Sequence, residues 1–157
     1  MTGAKEPSSE YATLVGSLMA GNTNIDCTRL RMSYVDSPER STIRMCPLLR
    51  RRCSRLWGRK IYATALQNAE TVLASEYVNL DAHFAAFIAN SEMGAADRAE
   101  FHQAVFRGLI DSIRNSGNGK SPEKAWVVIS EREEYVLLRV LGFRPSEQSL
   151  VQKDGHF

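Results

Sequence analysis

The sequence predicts a mainly helical α+β fold, in which antiparallel helical hairpins precede a small C-terminal sheet covered by one helix. Apolar residues recur at helical spacing through most of residues 11–117. Residues 126–129 (Trp-Val-Val-Ile) form a short apolar run rich in β-branched side chains, which is typical of a buried strand. A glycine-rich turn lies between the two parts, so the expected order is helix, loop, strand and helix.

Length and composition favour one domain, because 157 residues of which 43% are hydrophobic can bury a single core. We expect residues 1–10 to be a disordered N-terminus. Residues 11–157 are expected to form one domain, with a helical part at 11–117 and a strand–helix–strand part at 118–157.

Charge and cysteine usage exclude several classes of protein. A formal net charge of +2 is too close to balance to predict nucleic-acid binding. No apolar run is long enough for a membrane span or a signal peptide, so we expect no membrane partner and a cytoplasmic location. Three cysteines without CxxC spacing fit neither a disulfide framework nor a zinc site, and no cofactor is expected.

The N-terminal third predicts two short helices and an irregular connection. The first helix runs from Tyr11 to Gly21, and Asp26 is expected to cap a second helix that ends before Pro38. Residues 41–60 are basic and contain no acidic residue. This composition fits either a patch for phosphate or an acidic partner, or a solvated and poorly ordered connection, and the second interpretation is favoured.

Three longer helices are predicted next. Apolar residues from Ile61 onwards form an amphipathic stripe, and Asp81 is expected to cap the following helix. That helix has almost no polar face, so it should be central and buried until it ends at Gly94. A third helix should run from about Ala96 to Gly117. Small alanines between larger residues are similar to the packing of tetratricopeptide repeats, which favours a hairpin of that style.

The C-terminal part is expected to contain one helix between two strands. Ser130 and Glu133 have capping-box spacing and predict the start of a helix that reaches Gly142. Residues 148–152 predict the second strand. Asp154 and Gly155 then form a turn signal that would normally introduce a returning strand.

Several stretches of the chain resemble an uncharacterised bacterial family that is known only as a domain of unknown function. The resemblance implies a fold and no mechanism, because the family has no established activity. The family pattern usually has Asp where this chain has Asn118, and it continues past Phe157, which implies a C-terminally truncated chain. Residues 41–60 do not resemble the family. One hypothesis is that this stretch is out of frame or comes from a faulty gene model. The similar stretches include 24–26, 30–34, 81–83, 101–102, 108–113, 116–121, 125–130, 133–135 and 141–142.

The glycine-rich loop supplies the candidate ligand-binding residues, since main-chain N–H groups of such loops can cradle phosphates. The loop lacks the first glycine of a phosphate loop and runs from helix to strand, so a tight connection is the favoured interpretation. The candidates are Gly117, Asn118, Gly119, Lys120 and Ser121.

The candidate catalytic residues are His83, His102, Ser116 and Glu134. The two histidines lie on consecutive predicted helices, where they could bind a metal or move a proton. Neither histidine has the spacing of a known metal motif, so a buried hydrogen bond across the hairpin is favoured and no metal site is predicted. Glu133 and Glu134 point about 100° apart on a helix and cannot face each other as a carboxylate pair.

The sequence therefore predicts a non-enzymatic module that binds a protein or peptide partner on a helical scaffold. The alternative is a hydrolase or metal-dependent enzyme with its site between the 116–121 loop, His102 and Glu134. In an enzyme these side chains would converge around a concave pocket, whereas in a binding module they would be dispersed or bonded within the fold.

Overall fold

The computed structural model describes residues 9–42 and 59–144 of the chain. Pro38–Thr42 and Pro122–Lys124 are short 3-10 helices. No strand occurs in the two described ranges, so the predicted α+β class with a C-terminal sheet is wrong, and what is described of the fold is helical. The α-helices of these ranges are α1 (Glu10–Met19), α2 (Cys27–Val35), α3 (Arg59–Leu73), α4 (Leu80–Met93), α5 (Ala96–Arg114) and α6 (Glu131–Val140).

The first two helices begin at polar caps. Ser9 Oγ accepts a hydrogen bond from Ala12 N–H at the start of α1. The Asp26 carboxylate accepts hydrogen bonds from two main-chain N–H groups at the start of α2, as the sequence predicted. Both helices then bury apolar side chains in the common core, namely Tyr11, Leu18, Leu30 and Tyr34.

Helices α3, α4 and α5 form a layer with α4 in the middle, packed against both neighbours. Only Gly94 and Ala95 connect α4 to α5, so the two helices run antiparallel. Gly94 has a φ of 79°, a left-handed conformation that ends α4 as predicted. Ala69, Ala82 and Ala86 are fully buried, which allows the helix axes to approach closely.

The start of α4 differs from the prediction. Asn79, rather than Asp81, is the N-cap, and its side-chain oxygen accepts from Ala82 N–H at 3.0 Å. Asp81 lies in the first turn and forms an ion pair with Arg139 of α6 at 2.8 Å. The carboxylate therefore connects two helices instead of capping one.

The prediction that α4 is central is confirmed, but the predicted burial holds for only part of its surface. Its central position between α3 and α5 covers the faces that carry His83 and Ala86. Phe84 and Ile88, one turn apart, stay 45% and 37% exposed. An apolar ridge thus remains open on the outer side of the hairpin.

The predicted strand at residues 126–129 has no partner strand in the described ranges, and its chain bends at Ile129. Three of its main-chain groups, on Val127 and Ile129, are bonded to side chains, which satisfies groups that a sheet would otherwise pair. The other predicted strand, at 148–152, lies outside the described residues. The bonds are Val127 N–H to Ser116 Oγ (2.8 Å), Arg31 to the Val127 carbonyl (2.8 Å) and Ile129 N–H to Glu133 (3.0 Å).

The last described helix, α6, begins where the capping-box spacing predicts. Ser130 Oγ accepts from Glu133 N–H at 3.3 Å, and Val136 and Leu137 are buried against the core. Val140, in the last turn of α6, is exposed. Within the described helices, none combines the length and apolar character that crossing a bilayer requires.

Candidate functional site

His83 on α4 and His102 on α5 meet inside the helical layer. The Nδ1 atoms of the two imidazoles lie 3.1 Å apart, which is hydrogen-bonding distance. Both side chains are buried, with 0% and 6% of their surface exposed. The hydrogen bond that the sequence predicted across the hairpin is therefore present.

The neighbours of the pair fix its tautomers. His83 Nε2 lies 2.8 Å from the Tyr77 carbonyl oxygen, which can only accept, so Nε2 carries the proton. Nδ1 of neutral His83 must then accept, and Nδ1 of His102 donates to it. The Tyr77 N–H in turn donates to the hydroxyl of Tyr11 at 2.9 Å, so α1 is joined to this network.

Burial keeps both imidazoles neutral. It lowers the pKa of His83 to about 4, against a smaller raising effect from the Tyr77 carbonyl and a lowering one from His102. Burial also lowers the pKa of His102, and the nearby Arg98 guanidinium acts in the same direction. The described ranges hold no group of three or more His, Cys, Asp or Glu side chains suited to a metal ion.

A second buried polar cluster lies where α2, α5 and α6 meet. The guanidinium of Arg31 forms two hydrogen bonds with the Glu133 carboxylate, at 3.0 and 2.7 Å. It also donates to Ser112 Oγ at 3.2 Å and to the Val127 carbonyl. Arg31 is 0% exposed and Glu133 is 4% exposed, so this is a charge pair removed from water.

Sequence reasoning missed Arg31 as a structural centre. Arg31 lies between the apolar residues Leu30 and Met32 in a short helix. Arg29, on the same helix, makes an exposed ion pair with Glu10. The one available signal was Glu133, which was predicted as a capping residue. Its main-chain N–H donates to Ser130 Oγ in the helix cap, while its carboxylate accepts hydrogen bonds from Arg31 and from Ile129 N–H.

The glycine-rich loop is bonded to itself. The N–H groups of Asn118 and Gly119 both donate to the Lys124 carbonyl, at 2.8 and 2.9 Å. Lys120 N–H donates to the Asn118 side chain at 3.0 Å. These amides are engaged within the turn, so they are not presented to a phosphate as they would be in a phosphate-binding loop.

Two glycines of the loop are needed for close packing. A Cβ on Gly117 would lie 2.2 Å from the Ala125 carbonyl oxygen, and one on Gly119 would lie 2.7 Å from the Trp126 ring. Gly119 also has a φ of 64°, which L-residues rarely adopt. The tight-connection interpretation of this loop therefore has direct geometric support.

Ser116 is bonded apart from the two histidines. Ser116 Oγ donates to the Ile113 carbonyl at 2.6 Å and accepts from Val127 N–H. Within the described ranges, no hydrogen bond joins Ser116 or Glu134 to His83 or His102. The four side chains thus share no hydrogen-bonded network there.

The largest exposed apolar feature of the helical layer is the ridge of Phe84 and Ile88 on α4, called the α4 ridge below. The Phe84 ring packs on Phe106 of α5 and near Phe87, with centroids 5.5 and 6.2 Å away. Glu92 follows Ile88 one turn later on the same face. It makes no ion pair with another residue of the described ranges.

Comparisons with known proteins give a family and no characterised relative. Neither the curated proteins nor the solved structures contain a match to this chain. A family model matches residues 52–157, which spans α3 to α6 and stops short of α1 and α2. The chain belongs to the family that this model defines, described as a domain of unknown function, DUF4919.

Proposed function

We propose that this domain is a non-enzymatic interaction module that binds an amphipathic helix of a partner protein on the α4 ridge. The observation that carries the proposal is the exposure of Phe84 and Ile88 within residues 82–89, a largely apolar stretch of α4, which packs on both sides. Apolar residues on all sides of a helix are normally covered by neighbouring parts of the protein. An open face on such a helix is typical of a binding surface.

The shape of the surface favours a helix as the occupant. Phe84 and Ile88 lie one turn apart along α4, and Phe106 of the antiparallel helix α5 packs beside Phe84, so the apolar surface runs along the helix axis. Helices that dock into such surfaces use apolar anchors at i, i+3, i+4 and i+7.

The charges at the two ends of the ridge indicate which charge the partner should carry. At one end of the ridge Asp81 is already neutralised by Arg139. At the other end Glu92 is exposed and has no ion-pair partner in the described ranges. A partner helix with Lys or Arg opposite Glu92 would complement this surface.

Binding of a defined peptide tests the proposal. The probe is a fluorescein-labelled 18-residue peptide with Leu at i, i+3, i+4 and i+7 and Lys elsewhere, measured by fluorescence anisotropy. We expect saturable binding that Phe84→Gln with Ile88→Gln weakens by about tenfold or more, since two apolar side chains leave the interface.

Two controls accompany this measurement. Met19→Gln removes an apolar side chain that is 70% exposed at the end of α1, and it should leave binding unchanged. A peptide of the same composition without an apolar face should not bind. Equal binding by the ridge variant and the unaltered protein would refute the proposal.

The alternative function, a hydrolase or metal-dependent enzyme, has less support. A general base must reach the proton that it abstracts, but His83 and His102 are buried and bonded to each other. Ser116 has its hydroxyl bonded to main-chain groups. No contact within the described ranges favours a reaction over binding.

A further inference from the structure

The chain at residues 125–128, which ends at a bend at Ile129, has two unlike edges. In an extended segment the N–H and C=O of one residue point to the same side, and those of the next residue point to the opposite side. Val127 uses both of its main-chain groups, with Ser116 and Arg31, and Ile129 uses its N–H with Glu133. The Ala125 carbonyl lies against Gly117. The main-chain groups of Val127 and the N–H of Ile129 therefore point into the protein.

Trp126 and Val128 form the opposite edge. Their N–H and C=O groups make no hydrogen bond with another residue of the described ranges. Main-chain groups that are buried without a partner are rare, because each costs about 1–3 kcal/mol. The alternation of bonded and unbonded residues thus places this edge toward solvent.

The edge is held in place before any ligand arrives. The Trp126 ring packs under Gly119, and Trp126 and Val128 pack on the core. Val127, on the other face, is 48% exposed. Arg31 and Glu133, both buried, fix the inner edge, so a ligand would not have to order this segment first.

We infer that the outer edge of Trp126 and Val128 is a docking site for an extended peptide of a partner protein, which adds a strand to this segment. Main-chain donors and acceptors in this alternation are complementary to an extended backbone rather than to a helix. The side chain of the peptide that lies beside exposed Val127 should be β-branched, since such cross-strand pairs pack well. The site is separate from the α4 ridge.

Amide hydrogen exchange of the free protein tests the geometry. We expect the Trp126 and Val128 amides to exchange on the order of a hundredfold faster than those of Val127 and Ile129, whose hydrogen bonds must open first. Slow exchange at Val128 in the free protein would show that the edge is already covered, and would overturn the inference. Slow exchange that grows with protein concentration would overturn it too, because the occupant would then be a second copy.

A defined peptide tests binding. The probe is a labelled peptide, Thr-Val-Thr-Val-Thr with Lys at both ends. It is tested in three forms, which are unmodified, N-methylated at alternate residues, and N-methylated at every residue. The first two keep a hydrogen-bonding edge and should bind, and the third should bind at least about tenfold more weakly. Equal binding by all three peptides would contradict docking through the main chain.

Protein variants separate this site from the α4 ridge. Val128→Pro removes one outward N–H and should weaken binding of the Thr-Val peptide about fivefold. Met19→Gln, at the end of α1, and Phe84→Gln with Ile88→Gln, which alters only the ridge, keep every main-chain donor of the segment, so both should bind it normally. If Val128→Pro does not fold, the test is instead made on the unaltered protein, in which the Val128 amide should exchange more slowly once the peptide is added. Normal binding by folded Val128→Pro, or no slowing, would refute the inference.

Discussion

Arg31 and Glu133 are a buried pair of opposite charges, so removal of either one leaves the other charge without compensation inside the protein. We expect Arg31→Met to lower the free energy of unfolding by about 3–5 kcal/mol, measured by urea denaturation. Arg29→Met is the matched control on the same helix. It breaks the Glu10 ion pair, whose side chains are 66% and 51% exposed, and should cost about 1 kcal/mol or less.

A double variant separates the value of the pair from the cost of an unpaired charge. Arg31→Met with Glu133→Leu removes both charges, so it should be more stable than Arg31→Met alone. The double variant also frees Ile129 N–H, so some loss relative to the unaltered protein should remain. Equal costs for Arg31→Met and Arg29→Met would show that the buried pair does not stabilise the fold.

The histidine pair predicts a loss of stability in acid. His83 has an ordinary pKa of 6.5 and one of about 4 in the folded protein. Between these values the unfolded chain binds a proton that the folded protein does not, so the free energy of unfolding decreases as the pH falls. The contribution of His83 to the free energy of unfolding is at its maximum above pH 6.5, and it falls by about 3 kcal/mol as the pH decreases to 4.

Urea denaturation at several pH values between 4 and 7 measures this effect. Carboxylates also titrate in the lower part of the range, so the comparison is with His83→Gln, which keeps a polar side chain without the titration. That variant should be less stable at pH 7 and show a shallower decline toward pH 4. Parallel curves for the two proteins would mean that His83 is not the group responsible.

The two polar clusters differ in how far the sequence could predict them. His83 and His102 are 19 residues apart on helices joined by a short turn, so periodicity alone brings them together. Arg31 and Glu133 are 102 residues apart, and no local pattern connects them. An arginine in a short helix is usually solvated, so only the tertiary structure shows that this one is buried.

At the scale of elements, the loop before the extended segment depends on Gly117. Gly117→Ala places a Cβ 2.2 Å from the Ala125 carbonyl oxygen, so the backbone must shift. We expect a loss of about 1–3 kcal/mol in the free energy of unfolding. Gly16→Ala on exposed α1 has no atom within 4 Å of the new Cβ and should instead stabilise by about 0.5–1 kcal/mol. Similar effects of both changes would contradict this account of the loop.

Helix boundaries follow from local chemistry, and the sequence predicted several of them. Asp26, Gly94 and Ser130 act as the caps that their residue types favour. Asp81 was a wrong choice because Asn79, two residues earlier, has the same capping ability, and Arg139 of α6 attracts the Asp81 carboxylate. Choosing between two adequate caps requires knowing what lies next to each of them.

The strand prediction failed for a different reason. The composition of residues 126–129 does favour extended chain, and the segment is extended where the flanking dihedrals show it, at Ala125 and Ser130. A sheet also requires a second strand, and here Ser116, Arg31 and Glu133 take the hydrogen bonds instead. Arg31, which is 96 residues from Val127, is a partner that a local sequence window cannot reveal.

At the scale of the whole molecule, the family match covers less than the packed unit. It begins at residue 52, yet α1 and α2 contribute Tyr11, Leu18 and Leu30 to the same core as α5 and α6. Arg31 neutralises Glu133 of α6, and Tyr11 binds the main chain next to α4. The matched region is therefore packed against two helices that precede it.

A truncated chain tests this dependence. Residues 52–157 alone would leave the Glu133 carboxylate without Arg31 and would expose the core surface that α1 and α2 cover, so we expect loss of the cooperative urea transition and of near-ultraviolet circular dichroism. Residues 9–157 keep every described contact and should unfold as the full chain does. Adding a peptide of residues 9–42 to the fragment should restore part of the signal, and its Arg31→Met form should restore less. A fragment 52–157 that unfolds cooperatively at the same urea concentration as the full chain would show that α1 and α2 are dispensable.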